Sequence, residues 1–256
     1  MHKGFLFQHL TVNSMKKITN HSLYLVLSEE YGRNRNALDI AQCAIAGGVD
    51  IIQMREKKKN KQELIRLGQT LAQLCRKHNS IFIVNDDPLL AQKIDADGVH
   101  LGQEDLQRFP IKETRHIIGS DKIIGLSVST VAEVNQANRL DIDYMAFGPV
   151  FPTTVVGSWS VATYLPTIVG SIPLKRDCHT IKKLCVGIKD VKKVIELSQK
   201  PLFFIGGINL SNLTELLACG ARNIAVIRAI LGADDITAAV HEFKIKLGGT
   251  QNGKAT

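Results

Sequence analysis

The five cysteines, Cys43, Cys75, Cys178, Cys185 and Cys219, include no CxxC pair and are odd in number, so neither a disulfide framework nor a zinc-ligand pattern is in place. No apolar run approaches the about 18 residues of a membrane span, and the first 20 residues lack the charged-then-apolar order of a secretory signal. These absences point to a cytoplasmic chain whose cysteines stay reduced. Residues 1–20 carry Lys3, Lys16 and Lys17 and no acid, a weak match to an organelle transit peptide. They read better as a loose N-terminal extension, with Met15 an alternative start.

What is present suits a folded domain. The 256 residues are 45% hydrophobic and 22% charged, which excludes a disordered or collagen-like chain. A chain of this size buries roughly 70–75% of its unfolded surface, so the core needs no metal to hold it. The 32 basic against 24 acidic residues give a net charge of +8. Lys175, Arg176, Lys182, Lys183, Lys189, Lys192 and Lys193 crowd one stretch, but Asp177 and Asp190 interrupt them and no aromatic residue is interleaved. That pattern favours a solvated helix face and small anionic ligands over nucleic acid.

Eight short apolar runs recur: Leu23–Leu27, Ile51–Met54, Ile81–Val84, Val99–Leu101, Ile123–Val128, Tyr144–Val150, Leu202–Ile205 and Ile224–Ile227. Near-continuous apolarity with β-branched enrichment marks strands buried on both faces, the habit of parallel sheets. Between them lie segments with helical spacing, such as Lys61–His78, with Leu64, Ile65, Leu67, Leu71, Leu74 and Cys75 on one face, and Ser211–Cys219, for which Ser211 is the expected N-cap. Eight strand–helix units in this length predict a single (β/α)8 barrel over residues 21–247, with a C-terminal tail at 248–256.

Each run ends in polar residues, and barrel closure would gather them at one mouth. Asp86 and Asp105 follow neighbouring strands, so they can share one hard cation, and Mg2+ accepts one or two carboxylates together with water and phosphate oxygens. Asp87, just before Pro88, is expected to cap the next helix instead. Gln53, Arg55 and Lys57 alternate along one strand direction, where a fork of donors and a point charge suit a pyrophosphate. Gly206–Gly207 after the seventh run, and Ile227–Arg228 after the eighth, stand where barrels often hold a phosphate.

These motifs are familiar together. Gln53-Met-Arg-Glu-Lys57, Val84-Asn-Asp-Asp87, Gly98-Val-His-Leu-Gly-Gln-Glu-Asp105, Gly125-Leu-Ser127, Phe147-Gly-Pro-Val-Phe-Pro-Thr153, Gly206-Gly-Ile208 and Ala225-Val-Ile-Arg-Ala-Ile230 resemble the thiamine phosphate synthase family in order and spacing, from about residue 22 to 245. The resemblance implies an enzyme that joins hydroxymethylpyrimidine diphosphate to hydroxyethylthiazole phosphate with Mg2+, releasing pyrophosphate. It implies that Gln53, Arg55, Lys57 and Asn85 hold the pyrimidine diphosphate, that Asp86 and Asp105 hold the metal, and that Ser127 contacts the pyrimidine or its leaving group. Thr153, Thr154, Gly207, Ile227 and Arg228 would surround the thiazole phosphate, and His100 matches a mouth histidine of open role.

One departure stands out. The family continues Pro-Thr-x-Thr-Lys after the sixth strand, whereas here Pro152-Thr153-Thr154 runs into Val155 and Val156, with an apparent insertion over 155–174. Lys175, at its far end, becomes the candidate replacement for the missing lysine. Two other readings compete: a thiazole tautomerase-like paralogue, against which Ser129 replaces the expected histidine, and a non-catalytic binder of phosphorylated thiamine precursors. Small-molecule substrates, no membrane and no nucleic acid are the expected partners, with room left for a homo-oligomer.

Overall fold

The computed structural model describes residues 18–153 and 187–248. The parallel strands β1 (Leu23–Leu27), β2 (Ile51–Met54), β3 (Ile81–Asn85), β4 (Gly98–Leu101), β5 (Ile123–Val128), β6 (Tyr144–Phe147), β7 (Leu202–Ile205) and β8 (Asn223–Val226) hydrogen-bond in sequence order. β8 returns to β1, which closes the barrel. Among the described residues, helices α1 (Ala37–Ala46), α2 (Lys61–Lys77), α3 (Pro88–Lys93), α4 (Ile111–Ile118), α5 (Val131–Ala137), α6 (Lys189–Leu197), α7 (Leu213–Ala218), α8 (Arg228–Leu231) and α9 (Ile236–Lys246) lie in the intervals after the strands. No helix among these residues is long and apolar enough to cross a membrane.

The strands form where the apolar runs predict them, with one clear difference. β6 stops at Phe147 rather than Val150, because Gly148 and Pro149 follow and proline has no N–H for a ladder. The N-cap of α7 also differs from expectation: it is Asn212, not Ser211. Ser211 is engaged instead by Asn209, whose Oδ1 accepts from the Ser211 N–H and hydroxyl at 2.9 and 2.5 Å, an Asx turn that delays the helix start. Asp87 behaves as expected and caps α3 by accepting from Leu90 N–H at 2.9 Å.

Two apolar layers divide the core. Outward-facing strand residues such as Leu25, Ile52, Phe82 and Phe204 pack beneath the helices. Inward-facing ones, among them Tyr24, Ile51, Ile83, Tyr144 and Phe203, fill the barrel, and Ile18 packs against them from within the stretch read as an extension. Gly125 shows how the filling works. A Cβ there would lie 2.0 Å from the Tyr144 ring, so the missing side chain is the space that ring occupies.

The N-terminal ends of the strands are stitched by short polar side chains. Asp50, just before β2, accepts from Leu23 N–H of β1 at 2.7 Å and from Lys244 of α9 at 2.6 Å. Asp97, before β4, accepts from Phe82 N–H of β3, and Asp143, before β6, accepts from Ile124 N–H of β5. Asn223 of β8 accepts from Ser22 N–H. Each satisfies a strand-starting N–H that would otherwise be buried without a partner. These carboxylates therefore secure the closed end, while other carboxylates remain for the opposite one.

Gly125→Ala tests the packing of the barrel interior. A methyl group inside the Tyr144 ring forces the ring or the strand to move, and such overpacking costs roughly 1–3 kcal/mol. Urea unfolding should show that loss; a change within experimental error would mean that Tyr144 does not fill the space beside β5.

Candidate active site

The C-terminal strand ends bring Gln53, Arg55, Asn85, Asp86, His100, Asp105 and Ser127 around one mouth. Gln53 and Arg55 are buried, 3% and 7% exposed. A cavity of about 150 Å³ is lined by Arg55, Lys57, Asn85 and Asp86, among others. A larger hollow of about 420 Å³ opens at the opposite face beside Asp50 and Ser80. That hollow lies among the stitching residues and lacks the gathered donors and carboxylates of the mouth.

The Lys57–Lys59 run resolves into different tasks. Lys59 donates to Glu29 at 2.7 Å and Lys58 lies 3.6 Å from Glu30, both acids belonging to the short turn after β1. Glu56 accepts from Glu29 N–H at 2.7 Å and joins the same lattice. Lys57 is exposed and its charge acts on Asp86 together with that of Arg55. The two later lysines thus hold loops together, and the first supplies charge to the mouth.

Asp86 is held uncomfortably. Its backbone sits at φ 63°, a left-handed conformation that few residues besides glycine, asparagine and aspartate adopt. Its Oδ1 is the one buried side-chain oxygen without a hydrogen-bond partner among the described residues. Burial and, after it, the Asp105 carboxylate push its pKa up to about 7 against the opposing charges of Lys57 and Arg55. Asp105 is held by its own turn, its Oδ2 accepting from Gly102 N–H at 2.7 Å.

An orphaned buried oxygen beside a second carboxylate is the electrostatic arrangement that a hard dication relieves. No cluster of three or more His, Cys, Asp or Glu joins them among the described residues. The donor set therefore fits a cation that completes its shell with water and ligand oxygens.

Across the mouth, Ser127 Oγ lies 2.9 Å from His100 Nε2, and His100 Nδ1 lies 2.9 Å from the Tyr144 hydroxyl. Gln103 donates to the Ser127 carbonyl at 2.6 Å and ties the loop after β4 to β5. Burial lowers the His100 pKa to about 4, so the ring is neutral at physiological pH. Tyr144 escaped the sequence reading as a member of the site. The signal for Tyr144 was Gly125 inside a strand, which marks close approach by a neighbour.

The remaining expected residues fall on the other side of the barrel. Gly206 and Gly207 have φ of 98° and 65°. A Cβ on Gly207 would lie 2.5 Å from the Pro152 carbonyl oxygen and 2.8 Å from Phe151. Glycine at 207 is thus required by the chain after β6, so a bulky substitution there would disturb that chain before it tested any ligand. Thr153 is half-buried beside it, Ile227 packs against the barrel interior, and Arg228 opens α8 at the surface. Thr154, Lys175 and the apparent insertion lie outside the described residues.

The family model for thiamine monophosphate synthase matches residues 23–158 and 175–230, with 159–174 between the two matched stretches. The chain is 36% identical over 223 residues to a thiamine-phosphate synthase of Persephonella marina, covering 87% of this chain and 94% of that protein. It is 35% identical to a thiamine-phosphate synthase of Haloquadratum walsbyi, covering 88% and 91%. A solved thiamine phosphate pyrophosphorylase from Pyrococcus furiosus superposes with a TM-score of 0.71 at 31% identity, over 89% of this chain and 96% of that one.

The buried histidine makes an acid-stability prediction. His100 binds its proton at about pH 4 when folded and near pH 6.5 when unfolded. The unfolded chain therefore binds more protons between those values, and stability falls as pH drops through that window. The full loss is about 3 kcal/mol. Against His100→Gln, the wild-type advantage should shrink from pH 6.5 to pH 4 and then level; a pH-independent difference in denaturant midpoints would show that the ring does not titrate this way.

Proposed function

Because the chain belongs to the thiamine monophosphate synthase family, we propose how its mouth carries out the reaction. The protein is a transferase that makes thiamine phosphate from a pyrimidine and a thiazole precursor. In the proposed reading it works in the cytoplasm on hydroxymethylpyrimidine diphosphate and hydroxyethylthiazole phosphate. The observation that carries the reading is the electrostatic meeting of Asp86 with Asp105, Lys57 and Arg55, with Asp86, Lys57 and Arg55 lining one small cavity.

Asp86 and Asp105 would hold Mg2+, which when bound supplies charge neutralisation for the leaving diphosphate. Arg55 contributes a planar fork of donors and Lys57 a point charge to the same oxygens. Gln53 and Asn85 make no side-chain hydrogen bond among the described residues, so their amides are available to orient the pyrimidine diphosphate. Ser127 contacts the pyrimidine or its leaving group from β5. Thr153, Thr154, Gly207, Ile227 and Arg228 would receive the thiazole phosphate on the far wall, Gly207 through its backbone and as the residue that shapes the loop beside it.

The chemistry asks little more of the protein. An aminopyrimidine is electron-rich enough to stabilise the benzylic-type cation left when pyrophosphate departs. The thiazole nitrogen already carries the lone pair that forms the new C–N bond. No general base is needed for that bond, so positioning and preorganised charge supply the acceleration. Excluding water matters equally, since water would capture the cation as the alcohol.

Two predictions follow the assignment of charge. Asp86→Asn and Asp105→Asn should each lower kcat/KM by on the order of a hundredfold at limiting Mg2+, the scale of one preorganised electrostatic contact. In metal-free protein at pH 8, Asp86→Asn should raise stability by roughly 1–3 kcal/mol, because it removes a buried charge facing another carboxylate and asparagine accepts the left-handed backbone. Near-normal turnover in both variants would remove the metal assignment.

Lys175 is the first residue of the second stretch matched by the family model, and we assign it the leaving-group contact that the family's lysine makes. Lys175→Ala should then slow thiamine phosphate formation at saturating substrate. Unchanged kinetics in the full-length chain would exclude Lys175 from the site. The chain deleted for 155–174 gives the complementary measurement, a gain in rate there marking the insertion as inhibitory.

A further inference from the structure

A polar chain in the barrel interior begins in an apolar floor and ends at the mouth. The Tyr24 hydroxyl lies 2.9 Å from the Tyr144 hydroxyl, which lies 2.9 Å from His100 Nδ1. His100 Nε2 then lies 2.9 Å from Ser127 Oγ. Each hydroxyl brings a single hydrogen, and so does the neutral imidazole. The three bonds can consequently run upward in one arrangement or, with the imidazole reversed, downward in two.

In the upward direction, Tyr24 donates to Tyr144, Tyr144 donates to His100 Nδ1, and the Nε2–H of His100 donates to Ser127. Every buried hydrogen is then used, and the Ser127 hydroxyl hydrogen is left for the mouth. In the downward direction, Ser127 donates to Nε2, Nδ1–H donates to Tyr144, and Tyr144 donates to Tyr24. The Tyr24 hydrogen then has nowhere to go; if Tyr24 donates to Tyr144 instead, the Tyr144 hydrogen is the one left without an acceptor among the described residues. Tyr24 is 2% exposed, Phe203 stands edge-on to its ring at 5.3 Å, and its hydroxyl has no partner besides Tyr144 among the described residues. An unmade buried donor disfavours that direction by roughly five- to hundredfold.

We propose that this blind floor sets the polarity of Ser127: Tyr24, Tyr144 and His100 act as positioning residues that hold His100 as the Nε2–H tautomer and turn the serine hydroxyl hydrogen toward a hydrogen-bond acceptor of the substrate. The inference rests on the reading that the mouth binds the pyrimidine diphosphate. The acceptor of the serine hydrogen is then a ring nitrogen or a diphosphate oxygen, a role the exocyclic amino group, as a donor, does not fill. The neutral ring required here agrees with the burial that lowers the His100 pKa to about 4.

The direct test is the imidazole 15N spectrum of the wild-type, ligand-free protein at neutral pH, with the His100 signals among the eight histidines identified by their loss in His100→Gln. A protonated Nε2 and an unprotonated Nδ1 are expected, whereas the opposite tautomer, or an even mixture, overturns the proposal. This readout does not depend on turnover, so a failure to form thiamine phosphate would count against the functional reading alone. The substrate side is read with inorganic pyrophosphate plus Mg2+ and, separately, with the unphosphorylated hydroxymethylpyrimidine. Ser127→Ala should weaken at least one of them by roughly tenfold, the scale of one hydrogen bond, and which one identifies the acceptor. Unchanged affinity for both overturns the assignment of a donor at Ser127.

Discussion

The parallel hydrogen-bonded ring from β1 round to β8 and back leaves inward-facing side chains with two kinds of surroundings. Near the N-terminal ends they must fill the barrel, and Tyr24, Ile51, Tyr144 and Phe203 do so. Near the C-terminal ends they meet water and one another, because the ring opens there. A strand only four to six residues long passes from one environment to the other within two inward positions. Ile51 gives way to Gln53 and Arg55, Ile83 to Asn85, and Ile123 to Ser127. Closure is thus what converts alternating positions on separate strands into one site.

The two ends spend their carboxylates differently. Asp50, Asp97 and Asp143 each accept a strand N–H, so they lower the energy of the closed ring. Asp86 does the opposite. It holds a left-handed backbone, a buried oxygen without a partner and a carboxyl group whose ionisation is resisted by burial and by Asp105. Such discomfort is tolerated when a bound ligand relieves it, and stability is commonly given up at functional sites for that reason. Arg55 and Lys57 relieve it only in part.

The mouth is also divided by chemistry. One wall carries full charges, set by Arg55, Lys57, Asp86 and Asp105. The other carries neutral hydrogen-bonding groups, with Ser127 and His100 tied through Tyr144 to the barrel floor. Neutral groups in a packed interior keep fixed directions, since every alternative leaves a donor or acceptor unmet.

Much of this was legible beforehand, and the limits have physical causes. Continuous apolar runs flanked by helical spacing specify parallel strands, because burial on both faces leaves no polar alternation; hence the barrel, the cap at Asp87 and the convergence of Asp86 with Asp105 were all readable in one dimension. Ser211 misled because any serine before an apolar helix looks like a cap, and only Asn209, placed by its turn, decided otherwise. Strand alternation singled out Lys57, but the partners of Lys58 and Lys59 were invisible, since they depend on where Glu29 and Glu30 stand after a different strand. Tyr24, His100, Ser127 and Tyr144 come from β1, β4, β5 and β6, and nothing in their spacing joins them. Local sequence determined the elements and the ends at which polar residues collect; the closed barrel alone decided which of them touch, because hydrogen-bond partners across strands are set by register and by the space a neighbouring glycine leaves.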